Sequence, residues 1–198
     1  IFIKNKGHVK INLREKMDTK TEGRYPALKY RDFTYFWLGQ FISNIGTQMQ
    51  IVAVNWQIYI MTGSAAALGM IGLSRFIPIA IFSLIGGSFA DVHNRKRLQL
   101  ATQSTMAVLS AILSYTTFTH TATPIVIYSV TILMAIAMSF DLPARQALIP
   151  NLDDRKHLPN AMSLNFIMFQ TAIIVGPAIA GFLIGSAGLA LIYGLNTL

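Results

Sequence analysis

Long apolar runs broken by short polar punctuation dominate the chain from residue 33 onward. They predict helices at about 33–59, 66–90, 98–118, 124–142 and 161–184, with a sixth opening at 187 and incomplete at 198. Each complete run is near the ~20 residues needed to cross the hydrocarbon of a bilayer. None has the short alternating pattern of a barrel strand. Within the first run Gln40, Asn44 and Gln48 recur every four positions and Asn55 follows seven later, which draws polar groups near one helical face. Lipid cannot hydrogen-bond an amide, so this stripe is expected to face neighbouring helices or to line an aqueous pathway. Arg75 stands alone in the middle of the second run. A charge at that depth is costly unless it faces protein or water, so it reads either as an attractor for anions or as an internal partner tying helices together.

Charge changes the picture by giving the runs a direction. Only 12% of the 198 residues are charged, against about 25% in soluble domains, and mean hydropathy is +0.50. The net charge of +8 would suggest nucleic acid in a soluble protein, but here the basic residues flank apolar runs. Nine of them precede residue 32, three form Arg95-Lys96-Arg97, and Arg145, Arg155 and Lys156 follow the fourth run. The connections after runs one, three and five contain no Lys or Arg. The inner-leaflet bias of basic residues then places the N-terminus in the cytoplasm at every boundary, and nucleic acid is not an expected partner. Residues 1–32 read as a basic cytoplasmic tail close to membrane lipid, with Met17 as the expected true start. The absence of cysteine excludes disulfides and thiolate metal sites, and the four histidines show no ligand spacing. No metal site and no catalytic residue is expected, so the chain reads as a non-enzyme.

The most informative stretch is Gly86-Gly87-Ser88-Phe89-Ala90-Asp91-Val92-His93-Asn94-Arg95-Lys96-Arg97, between runs two and three. Its glycine, lone aspartate and basic cluster, spaced Gly87, Asp91, Arg95, Lys96, resemble the loop signature of the major facilitator superfamily. Val92 replaces a usual arginine and Asn94 a usual glycine. Asparagine tolerates a left-handed turn, which is what Asn94 is expected to supply. Two further stretches are similar to that superfamily's drug and siderophore exporters, the enterobactin exporter type among them. One is Pro143 to Pro150 with Leu158-Pro159-Asn160-Ala161, read as a connector after helix four. The other is Gly176-Pro177 with Ala180-Gly181 in helix five.

The resemblance implies an all-α polytopic membrane protein, specifically the N-terminal six-helix bundle of a twelve-helix major facilitator fold with its sixth helix truncated. It implies a bacterial cytoplasmic membrane location and a secondary transporter exporting a drug-like compound or siderophore-like metabolite by alternating access. Its partners would be the small-molecule substrate and a C-terminal half that lies outside this sequence. Gly87, Asp91, Asn94, Arg95, Lys96 and Arg97 would form a conformational latch on the cytoplasmic side, with Asp141 and Arg145 as a second charge set there. Gly176, Pro177 and Gly181 would serve packing or hinge motion in helix five. No cofactor is expected; a proton gradient is implied by resemblance alone, since the complete runs hold no Glu, no His and no deeply placed Asp. An uptake permease of the same fold and a non-transporting membrane fragment or scaffold are the competing readings. A channel would need a continuous polar lining, which one amide-rich run and one arginine do not supply.

Overall fold

The computed structural model describes residues 31–92, 94–152 and 158–197; the side chains of residues 32, 90–92, 147–152 and 158 lie outside that description. Residues 1–30, including the expected start at Met17, and the connector 153–157 are outside it too. The described residues form six helices: α1 (Arg31–Thr62), α2 (Ala65–Val92), α3 (Arg95–Phe118), α4 (Pro124–Leu152), α5 (Leu158–Ser186) and α6 (Leu189–Leu195). They run up and down, because the connections are too short for anything but antiparallel neighbours. One end of the bundle carries Asn94, the end of α2 and the facing ends of α4 and α5, the other Gly63-Ser64, 119–123 and Ala187-Gly188. Below these are the basic end and the uncharged end.

Among the described residues three helices are long and apolar enough to cross a membrane: α2 over Ala65–Phe89, α4 over Pro124–Gln146 and α5 over Pro159–Ser186. Their outward faces carry exposed Phe76, Leu84, Ile125, Ile174 and Phe182, a surface that only lipid or protein would cover. The chain is therefore a multi-pass membrane protein. α1 and α3 are as long as a span requires but are diluted by amides and hydroxyls, most of which they turn inward, with Ser104 and Thr105 of α3 left exposed.

Packing is pairwise. α2 lies along α4, α3 along the next face of α4, α1 along α5, and short α6 wedges between α3 and α1. The core gathers Ala53, Val54, Ile58, Ile71, Leu113, Ile127, Ile192 and Tyr193 toward the uncharged end. A smaller cluster of Phe33, Ala161 and Leu164 closes α1 on α5 at the basic end. There the Trp37 indole N–H donates to the Leu164 carbonyl at 3.2 Å.

Two elements differ from the sequence expectation. α4 runs ten residues beyond 142, so Pro143 to Pro150 is helix and not connector. Pro143 lacks the N–H that would bond the Ser139 carbonyl. Instead of ending the helix there, the freed carbonyl faces Gly86 of α2, so closely that a side-chain carbon at Gly86 would collide with it. The close approach belongs to Gly86; space beside Gly87 is open. Asn94 does not take a left-handed turn. It is extended, at φ −66° and ψ 107°, and caps α3 by accepting from the Arg97 N–H at 3.2 Å. A short polar side chain serves that position better than glycine would.

Candidate functional site

α1, α3 and α4 line an open-sided cavity of about 1120 Å³, with α2, α5 and the end of α6 with the two residues after it each contributing one to three residues. It reaches from Tyr35 and Lys96 at the basic end to Val54 and Asn196 deep in the bundle. Its wall is largely apolar, with Met49, Met106, Met134 and Met138 among flexible side chains able to reshape it. Gln40, Gln50, Gln99, Gln103 and Thr131 supply scattered polar groups. Among the described residues the charged ones on the wall are Arg75 and Lys96, and no carboxylate lines it. Arg75 is half-buried, and among the described residues it has no hydrogen-bond or ion-pair partner, only electrostatic reach to Tyr193.

Behind the cavity wall, toward the basic end, lies an ionic knot. Arg145 donates to Asp141 Oδ2 at 2.6 Å, one turn apart on α4. Asp141 is only 2% exposed, and its other oxygen accepts from the Thr102 hydroxyl of α3 at 2.8 Å. A second guanidinium nitrogen of Arg145 reaches Asn44 Oδ1 of α1 at 3.4 Å, and the Asn44 amide donates to the Gln40 carbonyl at 2.7 Å. Three helices thus meet on one carboxylate and one guanidinium. The knot is incomplete: Gln40 Oε1 and Arg145 Nε are buried without a partner among the described residues.

A second, uncharged network holds α1, α3 and α6 together deeper in the bundle. Gln50 Oε1 accepts from the Ser110 hydroxyl at 2.7 Å and from the Asn196 amide, while its amide nitrogen donates to the Met134 sulfur at 3.0 Å. Seven residues on, Gln57 Oε1 accepts from the Tyr193 hydroxyl at 2.7 Å and its nitrogen donates to Thr117 Oγ1 at 3.0 Å.

The amides of the sequence stripe therefore separate. Gln40 borders the cavity; Asn44 lies in the ionic knot behind it; Gln48 and Asn55 do not border the cavity. Gln48 packs instead against Gly176 of α5, where any side chain would collide with it and approach the Ile45 carbonyl. At 100° per residue, Gln48 sits roughly 80° round from Gln40 in one sense and Gln50 roughly 80° in the other. Gln50 and Gln57, seven apart, are the pair that the four-residue spacing passed over, and Ser110, Thr102 and Asn196 gave no periodic signal. Pro177 lies inside α5, and Gly181 has open space beside it. Of the loop residues, Gly87 ends in open space, Asn94 caps α3, and Lys96 and Arg97 are exposed. Arg95 is half-buried, and the side chain of Asp91 lies outside the described residues. Among the described residues no three His, Asp or Glu side chains gather as a metal site.

An inward cavity, a lipid-facing apolar surface and polar groups turned to the interior define a helical membrane protein built around a solute-sized space. Residues 23–198 match the transmembrane secretion effector family, and the chain belongs to that branch of the major facilitator superfamily. It is 31% identical over 151 residues to the staphyloferrin A transporter of Staphylococcus aureus, covering 76% of this chain and 38% of that protein. It is 27% identical to macrolide efflux protein A of Streptococcus pyogenes, over 81% of this chain and 39% of the relative. The enterobactin exporter of Escherichia coli is also 27% identical, over 82% of this chain and 39% of the exporter. The chain thus spans about two fifths of the length of these relatives. No solved structure matches it.

Proposed function

We propose that this bundle is the N-terminal half of a secondary transporter that carries a drug-like or siderophore-like small molecule out of the cell. The observation that carries this reading is the cavity of about 1120 Å³, larger than the 300–1,000 Å³ of ordinary ligand pockets and walled by adaptable side chains. A single bundle bounds such a space on one side only. Coverage of about two fifths of each relative supports a second bundle closing the other side, the two rocking about a central site. Names of relatives that include an efflux protein and an exporter favour export over uptake, and transport over catalysis.

The basic cluster Arg95-Lys96-Arg97 supports a cytoplasmic position for this end of the bundle, at the inner membrane of a bacterium. In this reading Asp91 and the loop from Gly87 to Arg97 hold one conformation by contacting the other half, and a proton gradient drives the cycle. Efflux from energised cells carrying the full-length gene tests both levels. A panel of macrolides and siderophores is expected to contain at least one compound whose efflux requires the gene, and Asp91→Asn should slow that efflux at equal membrane abundance. No gene-dependent efflux across the panel would count against the export reading, and unchanged flux in Asp91→Asn against the latch.

A further inference from the structure

We propose that the cavity selects substrates carrying a carboxylate, with Arg75 as the group that binds it; this rests on the reading of the cavity as the substrate path. A half-buried guanidinium in the middle of a membrane helix without a partner among the described residues is an expensive arrangement. It persists where something else completes its hydrogen bonds. Arg75 borders open space, and among the described residues the wall around that space offers no carboxylate to neutralise it. The carboxylate whose side chain is among the described residues, Asp141, is taken by Arg145 and Thr102. An arriving anion is therefore the counter-charge the cavity lacks, and a planar carboxylate fits the guanidinium fork in two parallel hydrogen bonds.

The second cation fits the same chemistry. Lys96 sits at the mouth, in the first turn of α3, whereas Arg75 lies some seventeen residues up α2 from its end at Val92, roughly 25 Å deeper at 1.5 Å per residue. A positive mouth above a positive interior, in low-dielectric walls, concentrates anions and repels cations. The methionine-rich wall between them suits an apolar body. The substrate class is thus an amphipathic organic acid rather than an organic cation.

The test uses the full-length protein purified in detergent and two dyes sharing a xanthene core, carboxyfluorescein as the anion and rhodamine 123 as the cation, with binding followed by equilibrium dialysis. Carboxyfluorescein should bind and rhodamine 123 should bind more weakly. Arg75→Gln should weaken carboxyfluorescein by about tenfold or more, Arg75→Lys, which keeps the charge but loses the two-pronged fit, should fall between Arg75→Gln and the parent, and neither should weaken rhodamine 123. Lys96→Gln should weaken carboxyfluorescein less than Arg75→Gln does and flatten the salt dependence of its binding. Elution of each variant as a single monodisperse species, with Arg75→Lys as the charge-retaining control, separates lost binding from lost folding. Equal weakening of both dyes by Arg75→Gln would mean that Arg75 pairs with another part of the protein, and would overturn the proposal. So would rhodamine 123 binding with no carboxyfluorescein binding. Carboxyfluorescein binding that depends on Arg75, with no dye flux in proteoliposomes, would sink the transport reading and leave the anion site standing.

Discussion

The two polar networks of the bundle join the same helices α1 and α3 by opposite means. Toward the basic end, Asp141 and Arg145 concentrate full charges in a space nearly closed to solvent, and two polar atoms beside them go unpaired. Deeper in, Gln50, Gln57, Ser110, Asn196 and Tyr193 form neutral hydrogen bonds that leave none of their own buried side-chain polar atoms without a partner. Neutral, satisfied bonds fix one arrangement. A charged knot with spare donors and acceptors has alternatives of similar energy, because each rearrangement can trade one unpaired group for another. The difference places rigidity at the α1–α3–α6 contact and the capacity to rearrange at the basic end.

That contrast can be broken most severely at Asp141. Asp141→Ala strands the Arg145 charge among buried groups, with an expected loss of ~3–5 kcal/mol. Thermal unfolding in detergent reads it. The double change Asp141→Leu with Arg145→Met should recover most of the loss, since an apolar pair of similar size needs no counter-charge. A double variant as unstable as Asp141→Ala would show that the knot is held by packing and not by charge. The next effect is at the α2–α4 crossing, where Gly86→Ala should cost ~1–3 kcal/mol by overpacking against a carbonyl. Gly87→Ala, one residue on and with open space beside it, should be close to neutral in the same unfolding measurement. Equal effects at both glycines would mean the crossing is not where the structure puts it. The smallest effect is in the neutral network. Tyr193→Phe removes one bond to Gln57 while the Thr117 contact remains, and should cost about 0.5–1.5 kcal/mol. A loss as large as that of Asp141→Ala would erase the distinction between the two networks.

Much of the architecture is legible in run length and charge, because a helix that must span a bilayer cannot hide its length or its flanks. The five long runs each emerge as a helix within a few residues, save at the far end of α4. There Pro143 reads as a stop, and nothing in the local sequence reports that Gly86, 57 positions earlier, would accommodate the freed carbonyl. The same distance dependence explains why Gly87 drew attention and Gly86 is the one in contact. Arg75 was legible because a lone charge in an apolar run stands out; whether it had an internal partner was not, since that is a matter of three-dimensional neighbours. The amides of α1 were visible but their directions were not. A helix surrounded by protein on several sides has no single polar face, so spacing alone could not assign Gln48 to α5 and Gln50 to α3.

The unequal apolarity of the helices bears on biogenesis. By length and composition α4 and α5, and α2 apart from Arg75, are apolar enough to enter lipid one at a time, their backbones satisfied by their own hydrogen bonds. α1 and α3 are not, since each exposes side-chain amides or hydroxyls until the other is present to receive them. Synthesis delivers α1 before α3, so Gln50 and Gln57 gain their partners Ser110 and Thr117 only once α3 has been made. The bonds that later hold the bundle shut also set the order in which its parts can enter the bilayer.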